Sequence, residues 1–438
     1  MLQVPSHNPT ITCSALRCEE LKRAVGIRTY GIKTLPDRDC VLNWGNFGML
    51  SDQNKKIFFS NLDGLRFIAF MAVFLDHSGD AWTTNFLKAK NWSYHYVHFI
   101  LTLAGSGVSL FFVLSGFLIT YLIIKEKETN GHFNLLFFYI RRILRIWPLY
   151  YLVLLLNFTA FAWLCRYMSW QTTAYDPVQL VLFLTNFNIL EIKKAGIGHH
   201  SVIHPTWSVA IEEQFYLVWP LIFFAPLKKF YKYLFLAVVL FCCVFRFIYR
   251  YDTDTLYYHT FAVFGDLALG SLCAYYAYYS KTFQNFTRSI SKTYIILTYV
   301  FGVVWLFFVT EIHVSDNISF IFRIITAAFF AFMVLEQNYS DNSFYKCSNS
   351  RFLSKWGRYT YGLYLLHGPV IIFFGVFVQN VLSWFNTGYF INELIFRIAA
   401  LILSMALSYL SYHYFEGIFL KLKGRFEIIK TNPSVGSL

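Results

Sequence analysis

Arg66 and His77 lie in one apolar run, NLDGLRFIAFMAVFLDHSG, with ten residues between them. Eleven helical steps make almost three turns, so guanidinium and imidazole share a face about 16 Å apart along the axis. Ionisable groups inside a membrane span are costly and mark substrate or proton paths. An imidazole in such a place is the usual general base, because its charge changes near working pH. Asp76 points about 100° away around the helix, within reach of an orienting bond to His77 but not aligned for one. A structural histidine bonded to a neighbouring helix is the competing reading.

Four further stretches carry chemistry-bearing residues. In FFYIRRILRIWPLYY (137–151), Arg142 and Arg145 are three apart on one helical face. That pair can clamp phosphate through bidentate charge-assisted bonds, or it can be a stop-transfer cluster binding anionic lipid headgroups. In HPTWSVAIEEQFYLVWP (204–220), Ser208 and Glu212 stack four apart on one face, with Trp207 and Glu213 beside them. Adjacent carboxylates at a membrane surface call for a cation or a substrate hydroxyl, and this stretch is expected at the outer end of a span. GSGVSLFFVLSGFLIT (105–120) places small residues where helices approach closely, with Ser115-Gly116 able to expose backbone to a ligand. GRYTYGLYLLHG (357–368) aligns Tyr361, Tyr364 and His367 at i, i+3, i+6, where a hydrogen-bonded structural histidine is favoured. No set of His, Cys, Asp and Glu has metal-ligand spacing, so no metal site is expected.

The elements that must position these groups are membrane helices. The 438 residues are 57% hydrophobic and only 14% charged, against roughly 25% charged in soluble domains. Phe, Tyr and Trp make up 21%, as where rings crowd interfacial belts. The net charge of +13 comes from Lys and Arg clustered between apolar runs. That is the orientation signal of a membrane protein and not the basic face of a nucleic-acid binder. Of the eight Cys, Cys165, Cys242, Cys243 and Cys273 lie in or beside apolar runs as small buried hydrophobes, and no disulfide framework is implied.

Runs near twenty residues long are placed at 62–79, 106–124, 147–165, 208–227, 233–250, 258–279, 293–310, 318–336, 360–380 and 391–416. An eleventh candidate, 178–190, is short, and counting it would carry the later basic loops to the wrong side. The expected fold is therefore an all-α polytopic bundle of about ten transmembrane helices with both termini cytosolic, and 178–190 re-entrant or interfacial. Residues 1–56 form a polar N-terminal cytosolic segment without a cleavable signal, expected to be disordered or an artefact of a true start at Met49. Residues 57–420 are the membrane domain, and 421–438 a basic cytosolic tail.

Together these segments resemble the acyltransferase-3 family of integral-membrane acyltransferases, which O-acylate carbohydrates and related acceptors. The resemblance rests on LDGLR with Arg66 and His77, GVSLFFVLSGFLIT, RRILRIWP, PTWSVAIEEQFYLVWP and YTYGLYLLH, in this order over 61–416. It implies that Arg66 and His77 match the essential pair of the first span, and Arg142 and Arg145 the cytosol-facing RxxR motif. It also implies that Glu212 matches the carboxylate of the WSxxxE element, and His367 the late-helix histidine. Glu416-Gly417-Ile418 stands where members often read E-x-P. No fused extracytoplasmic domain is expected.

The implied reaction moves an acyl group, acetyl above all, from cytosolic acyl-CoA to a hydroxyl of an envelope or secreted carbohydrate. The implied setting is the inner (cytoplasmic) membrane of a bacterium. Acyl-CoA is a donor substrate, and no bound cofactor is implied. His77 would serve as general base or transient acyl carrier, with Arg66, Asp76 and Glu212 in the catalytic set. Arg142, Arg145 and Ser115 would hold the donor; Trp207, Ser208, Tyr364 and His367 would face or support the acceptor. The runner-up is a transporter of an anionic glycan or acyl carrier that performs no chemistry, although no internal repeat of spans is visible. A scaffolding subunit of a polysaccharide assembly is the third reading.

Overall fold

A chain in lipid must satisfy its backbone internally, so long apolar runs become helices. The computed structural model describes residues 10–14, 33–34, 39–43, 59–78, 106–170, 175–196, 201–224, 227–311, 316–382 and 389–426. The chain divides into two units, one of Met1–Phe58 with Ile428–Leu438, the other Phe59–Glu427. In the first, β1 (Thr10–Ser14), β2 (Lys33–Thr34) and β3 (Asp39–Asn43) form an antiparallel sheet in the order β1-β3-β2, with Thr12 opposite Val41. Met49, the expected start, lies outside the described residues.

The second unit is a polytopic helical bundle. Among the described residues eight helices are long and apolar enough to cross a membrane: Gly107–Asn130, Leu135–Tyr167, Lys228–Ile248, Thr253–Tyr279, Lys292–Val309, Phe320–Tyr339, Thr360–Phe377 and Leu394–Phe426. The other two expected spans are helical as well. Helix α1 (Ser60–Ser78) carries Asp63, Arg66 and Asp76 in 19 residues. The segment at 208–227 falls on a helix of 13 residues, Thr206–Val218, followed by a 3₁₀ stretch, Trp219–Phe224. The two elements that fall short of a bare apolar span are those that hold most of the candidate chemistry.

Helix α2 (Gly107–Asn130) packs closely on the later helix Thr260–Tyr279. A Cβ on Gly116 would overlap the carbonyl oxygen of Leu267, and one on Gly270 would overlap that of Val113. The two backbones therefore touch, and Ser271 Oγ donates to the Gly116 carbonyl at 3.1 Å. The small residues of GVSLFFVLSGFLIT serve helix packing, as their spacing predicts.

The short apolar run at 178–190 is not one helix. It divides into Pro177–Val181 and Thr185–Lys194, with Phe183 between them at φ 56°. A left-handed phenylalanine costs about 1–3 kcal/mol and is held from both ends. Gln214 Nε2 donates to its carbonyl at 2.9 Å, and its ring stacks on Tyr150 with centroids 4.3 Å apart.

Two polar clamps set the helices that matter for the site. At the start of α1, Asn61 Nδ2 donates to the Gln337 carbonyl at 2.7 Å, and its Oδ1 accepts from Ser348 N at 2.8 Å. Helix α3 (Leu135–Leu156) begins at Asn134, whose side chain caps Phe137 N. Glu126 then bridges the Asn134 amide (3.1 Å) and Arg141 Nη2 (2.8 Å), while Arg141 Nη1 donates to the Phe426 carbonyl. Arg141 is thereby committed to the scaffold, while Arg142 and Arg145 of the same helix line a cavity.

Candidate active site

A cavity of about 860 Å³, its mouth included, opens between α1, α2, α3 and two later helices, α4 (Thr206–Val218) and α5 (Thr360–Leu382). One end is cationic. Arg66, Arg142 and Arg145 all line it, and among the described residues Glu212 is the one carboxylate in its wall. Arg66 Nη1 is held on Asp63 Oδ1 at 2.8 Å. The Arg142 guanidinium lies over the rings of Phe138 (5.5 Å) and Tyr216 (5.4 Å), and its buried Nε has no hydrogen-bond partner. Among the described residues neither Arg142 nor Arg145 has a carboxylate at ion-pair distance. Guanidiniums left without counter-charge at a cavity wall are set to receive an anion.

One face of α4 runs along this cavity as Ser208, Glu212 and Tyr216, spaced four apart. Glu212 accepts from Ser115 Oγ and from Tyr216 OH, each at 2.8 Å. It therefore fixes the ring on which Arg142 rests. Read from sequence as a member of the catalytic set at the outer end of a span, Glu212 shares the wall with the arginines. Ser115, read as part of the donor set, is its direct partner.

At the other end Ser208 Oγ and Tyr364 OH are 2.6 Å apart, and both line the cavity. Just past Tyr364, with ring centroids 5.8 Å away, is the buried ring of His367. His367 stacks on His77 at 5.0 Å, 9° from parallel, with His77 Nδ1 2.8 Å from His367 Nε2. The proton pattern follows from the far side of His367, where Nδ1 is 2.6 Å from the Tyr364 carbonyl. A carbonyl only accepts, so His367 Nδ1 carries a proton. With both rings neutral, His367 Nε2 must accept, His77 Nδ1 must donate, and His77 Nε2 keeps a free lone pair. That lone pair can take a proton or attack an acyl carbon.

The structure thus brings Arg66, Ser115, Arg142, Arg145, Ser208, Glu212 and Tyr364 around one cavity, with His77 and His367 paired behind Tyr364. Two expected members stand apart. Trp207 is buried against Phe112, Tyr257 and Tyr258 and does not line the cavity. Among the described residues Asp76 makes no hydrogen bond to His77, whose Nδ1 is taken by His367. Sequence reasoning passed over His204, whose ring lies 6.2 Å from that of His77 and whose Nε2 is 3.1 Å from Tyr258 OH. It also passed over Tyr216, which a reading of the Ser208–Glu212 face carried one turn further would have reached.

Comparison with known proteins agrees on the domain. The acyltransferase domain family matches residues 59–413. A Staphylococcus aureus protein with an O-acetyltransferase name is 30% identical over 233 residues, which cover 50% of this chain and 35% of that protein. The peptidoglycan O-acetyltransferase OatA of Listeria monocytogenes is 27% identical over 71% of this chain and 49% of its own length. A Haemophilus influenzae protein is 31% identical over 49% of this chain and 90% of its own. The chain therefore spans about a third to a half of the length of the relatives that carry an O-acetyltransferase name. No solved structure matches it.

Proposed function

Since the chain belongs to the acyltransferase-3 family, we propose that it moves an acetyl group from acyl-CoA to a hydroxyl of an envelope carbohydrate. The observation that carries this reading is the His77–His367 pair, set behind Tyr364 of a cavity wall that also holds Arg142 and Arg145 without an ion pair among the described residues. In the proposed arrangement ten helices cross a bacterial inner membrane with both termini inside, so the arginine end faces the cytosol. The names of the Staphylococcus and Listeria relatives support acetyl as the group and, for the latter, peptidoglycan as the kind of acceptor.

Arg142 and Arg145 take the phosphates of the donor, and the pantetheine arm runs along the Ser208–Glu212–Tyr216 face. Arg66, anchored on Asp63, directs the thioester. His77 Nε2 removes the proton of the acceptor hydroxyl as its oxygen bonds to the acyl carbon. The carbon–sulfur bond then breaks, and the proton passes from Nε2 to the leaving thiolate. His367 holds the tautomer that keeps Nε2 free, the role an orienting partner plays for any catalytic histidine. Glu212 positions Arg142 through Tyr216.

The test is transfer of label from radiolabelled acetyl-CoA to glycan in membranes carrying the protein or its His77→Ala variant. Base-labile label in carbohydrate, lowered about 10²–10⁴-fold in His77→Ala as for loss of a general base, is the expected result. A His77→Ala protein of full activity would sink this mechanism. Uptake of an anionic glycan by proteoliposomes without ester formation would replace it with transport.

A further inference from the structure

Among the described residues no hydrogen bond or ring contact joins Arg66, Arg142 or Arg145 to the two histidines. Ser208 and Tyr364 line the cavity, whereas His77 and His367 do not line it at all. The separation is a single residue thick. The Tyr364 side chain reaches Ser208 through its hydroxyl, while its own carbonyl holds His367 Nδ1. A donor that passes Tyr364 toward His77 from the arginine end meets the Tyr364–Ser208 contact.

The hydrogen-bond pattern says what can displace it. Ser208 Oγ donates to the Pro205 carbonyl at 3.2 Å, so its lone pairs are what Tyr364 O–H meets at 2.6 Å. Both side chains are buried, and a buried hydroxyl released without a new partner is costly. A thioester carbonyl oxygen is such a partner. It would accept from Tyr364 in place of Ser208, so the bond is exchanged and not lost. The opening is flanked by aromatic rings, Phe111 edge-on to Tyr364 at 5.5 Å and Phe112 fully buried against Trp207. An acyl chain that follows the carbonyl past Tyr364 meets these rings.

We infer that the Ser208–Tyr364 hydrogen bond is a substrate-opened latch that admits a short acyl thioester to His77 and keeps water and longer acyl chains back. The inference rests on the acyl-CoA reading above. With the latch weakened, water competes with the acceptor: its oxygen bonds to the acyl carbon, the carbon–sulfur bond breaks, and His77 passes the water proton to the thiolate.

The experiment compares wild type, Ser208→Ala and Ser208→Thr in detergent. It reads acetyl-CoA hydrolysis without acceptor, and the ratio of butanoyl to acetyl transfer with glycan acceptor present. Ser208→Ala should raise both by about tenfold, the order of one buried hydrogen bond, and Ser208→Thr should return both toward wild type. A purely structural Ser208 would lower acetyl and butanoyl transfer together and leave hydrolysis flat, which overturns the latch. Wild-type transfer with Ser208→Ala equal to it in both readouts also overturns the latch and leaves the acyl-CoA reading standing. A wild type that leaves acetyl-CoA untouched overturns both.

Discussion

Two sets of arginines occupy the same helical bundle and are treated in opposite ways. Arg323 holds Asp266 with Nε at 3.1 Å and Nη2 at 2.8 Å, and Ser109 Oγ donates to the same carboxylate at 2.6 Å. Arg141 is equally satisfied by Glu126 and the Phe426 carbonyl. Arg142 and Arg145 stand beside Arg141 on the same helix with no such partner among the described residues, facing open space. A charge in a membrane bundle is expensive either way. Where the fold supplies the counter-charge the residue joins helices, and where the fold withholds it the residue is left lining a cavity. Satisfaction, and not residue type, separates the two classes.

That contrast can be broken at several points. The largest effect is expected on the paired side. Asp266→Ala leaves the half-buried Arg323 without its carboxylate, so stability should fall by about 3 kcal/mol, read as a lowered melting temperature in detergent. Unchanged melting would show that the ion pair is not what joins those helices. On the unpaired side, Arg145→Ala and Arg142→Ala should each raise KM for acetyl-CoA about 10–100-fold, the range for losing a charge-assisted bond. Melting should hardly move, and Arg145→Lys should recover part of the affinity. If these variants melt early with KM unchanged, the two arginines belong with Arg323. His367→Gln tests the imidazole pair: kcat should drop about tenfold at constant KM, because only the orientation of His77 is disturbed. A matching rise in KM would place His367 in donor binding instead. The smallest change comes from Lys228→Ala. Its bridge to Glu128 is half-exposed at 2.6 Å and should contribute at most about 1 kcal/mol to stability.

Much of the bundle was legible because lipid leaves few choices. Long apolar runs in a low-charge chain must be helices, and eight of the ten expected runs hold helices able to cross a membrane on length and composition alone. The small residues at 105–120 announced a close helix contact, and Gly116 makes it. The break at Phe183 was not legible, since nothing local favours a left-handed phenylalanine. Gln214 and Tyr150, distant in sequence, hold it there.

The site divides along the same line. Residue types and helical spacing by themselves singled out Arg66, His77, Arg142, Arg145 and Glu212, with Ser208 on the same helix face, as candidates, because ionisable groups in apolar runs have to be accounted for. Periodicity also placed Tyr364 and His367 on one face. Only the tertiary structure decided that His77 pairs with His367 and not with its neighbour Asp76, and that Glu212 joins the arginines' wall. Only it put His204 beside His77 and Tyr364 between the cavity and the histidines. The reason is physical: spacing along one helix fixes which side chains share a face, but hydrogen-bond partners are chosen across helices. Residues 290 apart, as His77 and His367 are, meet only once the bundle is packed.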